Sequence, residues 1–139
     1  MKITTKVRYG IRALNLLAEI ENENSTLQIS KMATEENLSI KYLENLMVKL
    51  RNAGLVESKR GKSGGYKLAK KANRISIAEI FMALDESFEL VPCLGSDYAC
   101  ERKEICGTYD LWKDLSLSIK TKLGNITLET LKRNERILF

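Results

Sequence analysis

The stretch from Ser39 to Leu68 has the pattern of one helix that ends at a glycine and leads into a glycine-rich hairpin. Its apolar residues recur at helical spacing, which requires a buried face; they are Leu43, Leu46, Met47 and Leu50. Ser39 is a good N-cap, and Gly54 lies where a left-handed C-cap residue is needed. Two short strands then flank the loop at 61–65. This order of elements predicts the winged form of a helix-turn-helix domain.

Positive charge is concentrated in the same stretch. Between Lys41 and Arg74 there are ten Lys and Arg residues against two acidic residues, a local balance of +8, whereas the whole chain carries +5. Neutralising nucleic-acid phosphates requires such a local concentration. A solvated, lysine-rich hairpin is the alternative, but the helix, the hairpin and the charge coincide, so we predict double-stranded DNA as the partner. The candidate DNA-binding residues are Lys41, Tyr42, Glu44, Asn45, Lys49, Arg60, Lys62 and Ser63.

The totals for the chain favour one small domain and argue against an enzyme. Its 139 residues, with 44% hydrophobic content, suffice for one domain or for one domain with an oligomerisation extension. Histidine is absent, which removes the usual general base, any imidazole triad and the usual nitrogen ligand for zinc. The glycines of the hairpin are not followed by a helix, so they form no phosphate-binding loop.

No segment of the sequence predicts a membrane or secreted protein. No apolar run reaches the ~18–20 residues of a membrane span, and the first four residues begin no signal peptide. The three cysteines are an odd number, which argues against a disulfide framework and for reduced thiols or metal ligands. We therefore expect a cytoplasmic protein without a membrane partner.

Helix signals surround the central stretch. Thr4 or Thr5 can cap a first helix, and the pair Ser30–Glu36 and Ser39–Ala53 has helix-turn-helix spacing, with Asn37 ending the first of the two. After the hairpin, the segment 76–79 makes a capping box for a helix that runs to about Glu86.

A long helix is predicted from about Thr108 to Leu123, where Gly124 stops it. Its apolar seam has spacings of three, four and four, close to a coiled-coil stripe; the seam is Trp112, Leu115, Ile119 and Leu123. We expect this seam to form a homodimer interface, with packing against the same chain's own head as the alternative. A short last helix, 127–131, and a partly disordered tail follow.

The predicted fold class is mainly α with a small β-wing: a winged helix-turn-helix head plus a long C-terminal dimerisation helix. We divide the chain into the DNA-binding domain at 1–87, a cysteine loop at 88–107, and the dimerisation helix and tail at 108–139.

All three cysteines lie in or beside one irregular, polar stretch. Cys93, Cys100 and Cys106 are separated by six and five residues, which is too loose for the paired C-x-x-C turns of a zinc ribbon. The spacing suits three thiolates that converge from a loop around a larger inorganic core such as an iron–sulfur cluster. Three unrelated buried cysteines are the alternative, but buried cysteines usually lie in helices or strands.

Four segments carry a family resemblance: Lys6–Gly10, Tyr42–Leu46, Arg60–Tyr66 and Asp110–Leu115. They resemble the IscR/NsrR/CymR superfamily of dimeric bacterial winged-helix regulators, and the resemblance covers essentially the whole chain. The C-terminal part is most similar to the IscR branch of iron–sulfur cluster regulators. The similarity lies in Cys106, the Asp-Leu-Trp segment that follows it, and Asn-Ile-Thr-Leu at 125–128.

The resemblance implies that Cys93, Cys100 and Cys106 ligate an iron–sulfur cluster whose state changes promoter choice. We expect a [2Fe–2S] rather than a [4Fe–4S] cluster. The IscR branch has a histidine as its fourth ligand three residues after the last cysteine, and this chain has a tyrosine there. The candidates for the fourth position are then an exogenous ligand, a side chain of the partner subunit, Tyr109, Asp110 and Glu104.

The resemblance also implies distinct roles for two DNA contacts. Glu44 would help to discriminate between operator classes, and Arg60 of the wing would enter the minor groove. A two-fold dimer with one recognition helix per chain would bind a pseudo-palindromic operator. The NsrR branch uses three cysteines without that histidine, so nitric-oxide sensing stays open beside iron–sulfur biogenesis and redox response. The CymR branch generally lacks the cysteine trio and ranks last.

Two other interpretations of the cysteines compete with cluster binding. One keeps the DNA binding but makes the cysteines a thiol redox switch or a zinc site; iron and acid-labile sulfide with visible absorption would exclude it. The other is an iron–sulfur enzyme or scaffold that uses the winged helix as an interaction module. It suffers from the lack of any substrate pocket that the sequence can nominate.

Overall fold

The computed structural model describes residues 2–23 and 25–132. Within these residues, helices and one two-stranded antiparallel sheet follow one another along the chain. They are α1 (Thr5–Glu19), α2 (Ile29–Glu36), α3 (Ile40–Asn52), β1 (Val56–Lys59), β2 (Gly65–Leu68), α4 (Ile77–Ala83) and α5 (Tyr109–Gly124). The predicted fold class, mainly α with a small β-wing and a long C-terminal helix, is confirmed.

The core lies between α1, α2, α3 and α4. Each helix turns an apolar face inward, because its apolar residues recur every three or four positions. The largest fully buried side chains include Leu14, Leu17, Met32, Leu43, Met47, Leu50, Ile75, Ile80, Leu84 and Leu128. The last of these comes from beyond α5, so the C-terminal segment belongs to the same core.

The connection between α2 and α3 has the tight geometry of a helix-turn-helix. Asn37 adopts a left-handed conformation (φ 53°) and ends α2, a conformation that asparagine tolerates better than most residues. The N–H of Leu38 returns to the carbonyl of Ala33 at 2.9 Å. Ser39 Oγ accepts a hydrogen bond from the N–H of Tyr42 at 3.1 Å and caps α3. Both predicted boundaries are confirmed.

The hairpin of β1 and β2, called the wing from here on, pairs Val56 with Leu68. A third extended segment, which the sequence did not indicate, adds to it: Leu27 and Tyr66 exchange two backbone hydrogen bonds of 2.9 Å. This approach requires a glycine beside Tyr66, because a Cβ atom on Gly65 (φ 150°) would lie 2.5 Å from the Leu27 carbonyl oxygen. The wing is thereby fixed to the connection between α1 and α2.

The predicted capping box begins α4. Ser76 Oγ accepts a hydrogen bond from the N–H of Glu79 at 3.2 Å, and Glu79 Oε2 accepts one from the N–H of Ser76 at 2.8 Å. The prediction that this helix runs to about Glu86 is wrong. It ends at Ala83, because Asp85 adopts a left-handed conformation (φ 57°) that cannot continue a right-handed helix.

The predicted apolar seam of α5 does not lie on one free face. Ile119 and Leu123 pack against the core of the same chain, and Trp112 is half-buried. Leu115 is 39% exposed and its neighbour one turn earlier, Leu111, is 50% exposed. One flank of the seam therefore faces the head, as the alternative interpretation had it, and the other flank faces solvent.

The predicted long helix, from about Thr108 to Leu123 with Gly124 at its end, is confirmed as α5: Thr108 is its N-cap and Gly124 its last helical residue. The N–H of Asn125 bonds to carbonyls of the last turn. The expected last α-helix is a single 3₁₀ turn, Glu129–Leu131, which ends at Lys132 because the backbone of Lys132 is extended (ψ 137°). Residues 133–139 of the predicted tail lie outside the described residues.

Candidate DNA interface and cysteine loop

The exposed face of α3 carries three of the predicted DNA-binding residues. Lys41, Glu44 and Asn45 are all exposed, because the buried positions of this helix lie on its opposite side. An ammonium, a carboxylate and an amide can pair with guanine, cytosine and adenine edges respectively. Their side chains are available for such contacts.

Tyr42, by contrast, packs inward onto α1. Its ring meets the ring of Tyr9 edge-on, with 6.2 Å between centroids. The Arg12 guanidinium lies over the Tyr9 ring, 5.3 Å from its centroid, and forms an ion pair with the buried Glu36 of α2. Tyr42 therefore helps to join α3 to α1, a role that the sequence did not indicate.

Lys49 also has a partner within the chain. Its ammonium forms an ion pair with the carboxylate of Asp85, the residue at which the chain turns away from α4. The hydrogen bond and the positive charge of Lys49 hold the pKa of Asp85 below its ordinary value. The prediction treated Lys49 as a free DNA contact, and Asp85, which lies 36 residues further along the chain, carried no sequence signal.

The tip of the wing is held by backbone contacts. The N–H of Gly64 donates to the carbonyl of Gly61 at 2.9 Å, and the Thr26 hydroxyl donates to the carbonyl of Ser63 at 2.7 Å. The side chains of Arg60 and Lys62 are exposed at this tip. Two cations are thus presented on a rigid support.

A basic cleft of about 570 Å³ separates the wing from the start of α2. Lys31 of α2 and Lys59 of β1 line it, and neither lysine was among the predicted DNA-binding residues. Leu27, which also lines the cleft, pairs with Tyr66 of the wing and so joins its two sides. The cleft extends the positive surface from the wing to α2.

The structure brings two of the three cysteines to one place. Cys93 and Cys100 are half-buried and line one cleft of about 680 Å³, whereas Cys106 is exposed and does not line it. Among residues 2–23 and 25–132, no group of three Cys, Asp or Glu side chains is placed to hold a metal ion. The donors suit an iron–sulfur cluster chemically, but in this arrangement only two of the three thiols share a cleft.

The three protein candidates for the fourth ligand also differ in whether they line this cleft. Tyr109 lines the cleft with Cys93 and Cys100, and the Lys103 ammonium lies 5.2 Å from the centroid of its ring. Glu104 and Asp110 do not line that cleft and are exposed. Tyr109 is therefore the candidate that the fold places beside two of the thiols.

Cys106 has its own electrostatic environment. Its Sγ lies 3.5 Å from the hydroxyl of Thr108. This hydrogen bond, together with backbone groups at the start of α5 and the charge of Arg102, lowers the pKa of the Cys106 thiol. A lowered pKa raises the thiolate fraction, which is the form that binds metals and reacts with oxidants.

A helix-turn-helix with a basic wing and an exposed polar face on its second helix defines a winged-helix DNA-binding protein. No helix in the described part of the chain is long and apolar enough to span a bilayer. The chain belongs to the Rrf2 family, whose model, described as an iron-dependent transcriptional regulator, matches residues 3–134.

Named relatives agree with this assignment. The transcriptional regulator IscR of Xenorhabdus nematophila is 38% identical over 138 residues, which are 99% of this chain and 83% of that protein. CymR, the global cysteine regulator of B. subtilis, has a TM-score of 0.78 at 34% identity, covering 98% of this chain and 99% of that one. T. potens IscR has a TM-score of 0.77 at 30% identity, covering 98% and 89%. The chain is therefore a transcriptional regulator and not an enzyme, and the predicted superfamily is confirmed.

Proposed function

We propose that this regulator binds its operator as a dimer and that an iron–sulfur cluster held by Cys93, Cys100 and Cys106 controls the binding. The observation that carries the proposal is the position of the three thiols, on one irregular segment between α4 and α5. The description of the family model as iron-dependent and the IscR relatives support it. Cluster binding requires the loop to draw Cys106 towards the cleft that contains the other two cysteines.

The proposed DNA interface has two parts. Lys41, Glu44 and Asn45 read base edges in the major groove, and Arg60 and Lys62 at the wing tip bind the adjacent minor groove or backbone. Support comes from the exposure of all five side chains and from the rigid wing. Lys31 and Lys59 add phosphate contacts at the basic cleft.

The proposed dimer surface is the solvent-facing flank of α5. Leu111 and Leu115 are exposed there one helical turn apart, and half-buried Trp112 lies between them in sequence. Ile119 and Leu123 serve mainly to hold α5 on the head. Sedimentation of the wild type and of Leu115→Asp should show a dimer and a monomer respectively, and a wild-type monomer even with operator present would contradict the proposal.

The cluster is tested by anaerobic purification followed by iron, sulfide and absorption measurements. We expect Cys93→Ala, Cys100→Ala and Cys106→Ala each to lose iron and sulfide. The matched controls are Tyr109→Phe, Glu104→Gln and Asp110→Asn. If one of these variants also loses the cluster, the replaced residue is the fourth ligand. Full iron and sulfide in every cysteine variant would show that the thiolates are not the ligands.

Operator control needs a separate measurement. Selection from a randomised duplex pool with the cluster-loaded protein supplies a binding sequence, and titration of that duplex with loaded and cluster-free protein gives two affinities. We expect the affinities to differ. Equal affinities would leave the cluster without a regulatory role while leaving DNA binding intact.

A thiol switch is the second candidate, favoured by the exposure and lowered pKa of Cys106 and by the likeness to CymR, the global cysteine regulator of B. subtilis. It predicts a protein without iron or sulfide whose DNA affinity changes on oxidation by a disulfide reagent and returns on reduction. Cys106→Ser would abolish that change. Zinc analysis of the same protein distinguishes a zinc site from a thiol switch.

A further inference from the structure

Two acidic residues directly after α4 bind two different helices of the head. Asp85 pairs with Lys49 on α3, and Glu86 Oε1 lies 3.1 Å from Lys6 Nζ on α1. The left-handed backbone at Asp85 (φ 57°) reverses the chain so that consecutive carboxylates reach separate helices. The recognition helix is thus contacted by an acid from outside the helix-turn-helix.

The Lys49 ammonium lies at the edge of the exposed face of α3, one helical turn after Asn45. Its side chain is 44% exposed and that of Asp85 is 67% exposed. Ion pairs between such solvent-exposed groups contribute little to stability. A DNA phosphate, which like a carboxylate has two anionic acceptor oxygens, can therefore compete with Asp85 for Lys49.

We propose that Asp85 is a positioning residue for DNA binding: its carboxylate occupies Lys49 in the free protein and limits the contact of Lys49 with a backbone phosphate. This inference rests on the proposed DNA binding and adds that Asp85, beside the same surface, lowers the affinity for DNA. In the wild type, Lys49 must leave a carboxylate before it binds phosphate, and the carboxylate then remains beside the DNA. Both effects oppose binding.

Asn is the appropriate replacement for Asp85. It has the same shape, and it tolerates the left-handed conformation at least as well as Asp, so the turn keeps its backbone. Glu86→Gln is the matched control: it removes an equal charge from the adjacent residue but releases Lys6 of α1 instead of Lys49.

The experiment measures affinity against salt concentration for the wild type, Asp85→Asn, Glu86→Gln, Lys49→Gln and Lys49→Gln/Asp85→Asn. The probes are a duplex selected from a randomised pool and a random-sequence duplex. Each lysine–phosphate contact adds about 0.9 to the slope of log affinity against log salt. Circular dichroism confirms that each variant is folded.

We expect Asp85→Asn to bind both duplexes several-fold more tightly and with a salt slope steeper by up to about 0.9. We expect the gain to disappear in the double variant and Glu86→Gln to keep the wild-type slope. An unchanged slope for Asp85→Asn, or a gain that persists without Lys49, would overturn the inference while leaving DNA binding established. A wild-type protein that binds neither duplex would overturn the proposed DNA binding as well.

Discussion

The backbone N–H of Leu90 donates a hydrogen bond to the Oγ of Ser116 across 3.2 Å. Ser116 is a buried polar residue of α5, and Leu90 begins the segment that leads to Cys93. The bond joins the cysteine loop to the long helix at a defined point.

Removal of this acceptor should destabilise the protein. Ser116→Ala leaves the N–H of Leu90 without its partner in a half-buried position, at a cost of about 1–3 kcal/mol in the free energy of unfolding. Urea denaturation measures the difference. Ser118→Ala, on the exposed side of the same helix, should change stability by no more than about 0.5 kcal/mol. Equal effects of the two substitutions would contradict the role of the bond.

Local signals explain which parts of the fold the sequence predicts. Ser39 caps α3, Asn37 ends α2, and the capping box of Ser76 and Glu79 begins α4, because each of these contacts joins residues three or four positions apart or within one turn. Helix periodicity located the buried face of α3 for the same reason. Such contacts depend on the chain nearby and are readable without the rest of the fold.

Contacts between distant residues explain what was missed. The pairing of Leu27 with Tyr66 and the burial of Leu128 join segments that no local pattern connects. The apolar stripe of α5 is a periodic signal, but periodicity does not say whether the buried side meets the same chain or another copy. Ile119 and Leu123 meet the same chain, whereas Leu115 is exposed.

The same contrast between local and distant contacts applies to the candidate site. The exposed positions of α3 and the wing follow from helix periodicity and turn composition, so the exposure of Glu44 and Arg60 could be predicted from the sequence. The pairing of Lys49 with Asp85 depends on where the chain turns after α4, which the sequence placed at about Glu86. The cysteine spacing indicated three converging thiolates, but an irregular loop has no period from which the position of Cys106 could be derived.

Gly65→Ala should destabilise the wing. The added Cβ would lie 2.5 Å from a backbone carbonyl oxygen, that of Leu27, and the φ of 150° is strained for a residue with a side chain. We expect a loss of about 1–3 kcal/mol in the free energy of unfolding together with weaker DNA binding.

Gly124→Ala is the matched control. No atom lies within 4 Å of the added Cβ there, and the position is helical, so we expect a stabilisation of at most about 1 kcal/mol. Thermal and urea denaturation measure both variants. A Gly65→Ala protein as stable as the wild type would mean that the wing and the Leu27 segment separate easily.

The capping box should make stability depend on pH. Partial burial acts to raise the pKa of Glu79, but hydrogen bonds from Lys70 and Ser76 outweigh it and lower the pKa overall. The folded state therefore binds the proton less readily than the unfolded state. The stabilisation is present above the unfolded pKa of about 4.3 and is lost as the pH falls through the lower folded-state value.

Glu79→Gln keeps the capping-box hydrogen bonds but removes the charge. The variant should be less stable than the wild type at neutral pH, by less than about 1 kcal/mol because Glu79 and Lys70 are partly exposed. The difference should vanish in acid. Ser76→Ala, which removes the N-cap, should cost about 1 kcal/mol at neutral pH, and most of this cost should persist in acid because the Ser76 hydroxyl accepts from the backbone N–H of Glu79. A constant difference between wild type and Glu79→Gln in urea melts across this range would exclude the charge as its cause.

The wing and the recognition helix should differ in what they contribute to DNA binding. Arg60→Ala removes an exposed cation from the wing tip, so binding to every duplex should weaken and the salt slope should fall by about 0.9 if one phosphate contact is lost.

Glu44→Ala removes an acceptor for a base edge. It should relax the preference at one base pair by about 1–3 kcal/mol and leave the slope nearly unchanged. Lys120→Ala, an exposed cation on α5, controls for net charge and should change neither quantity. Titrations against salt and selection from a randomised pool measure the two effects separately. A selection profile for Glu44→Ala identical to that of the wild type would remove Glu44 from the base-reading set, whereas an unchanged salt slope for Arg60→Ala would place the wing tip away from the phosphate backbone.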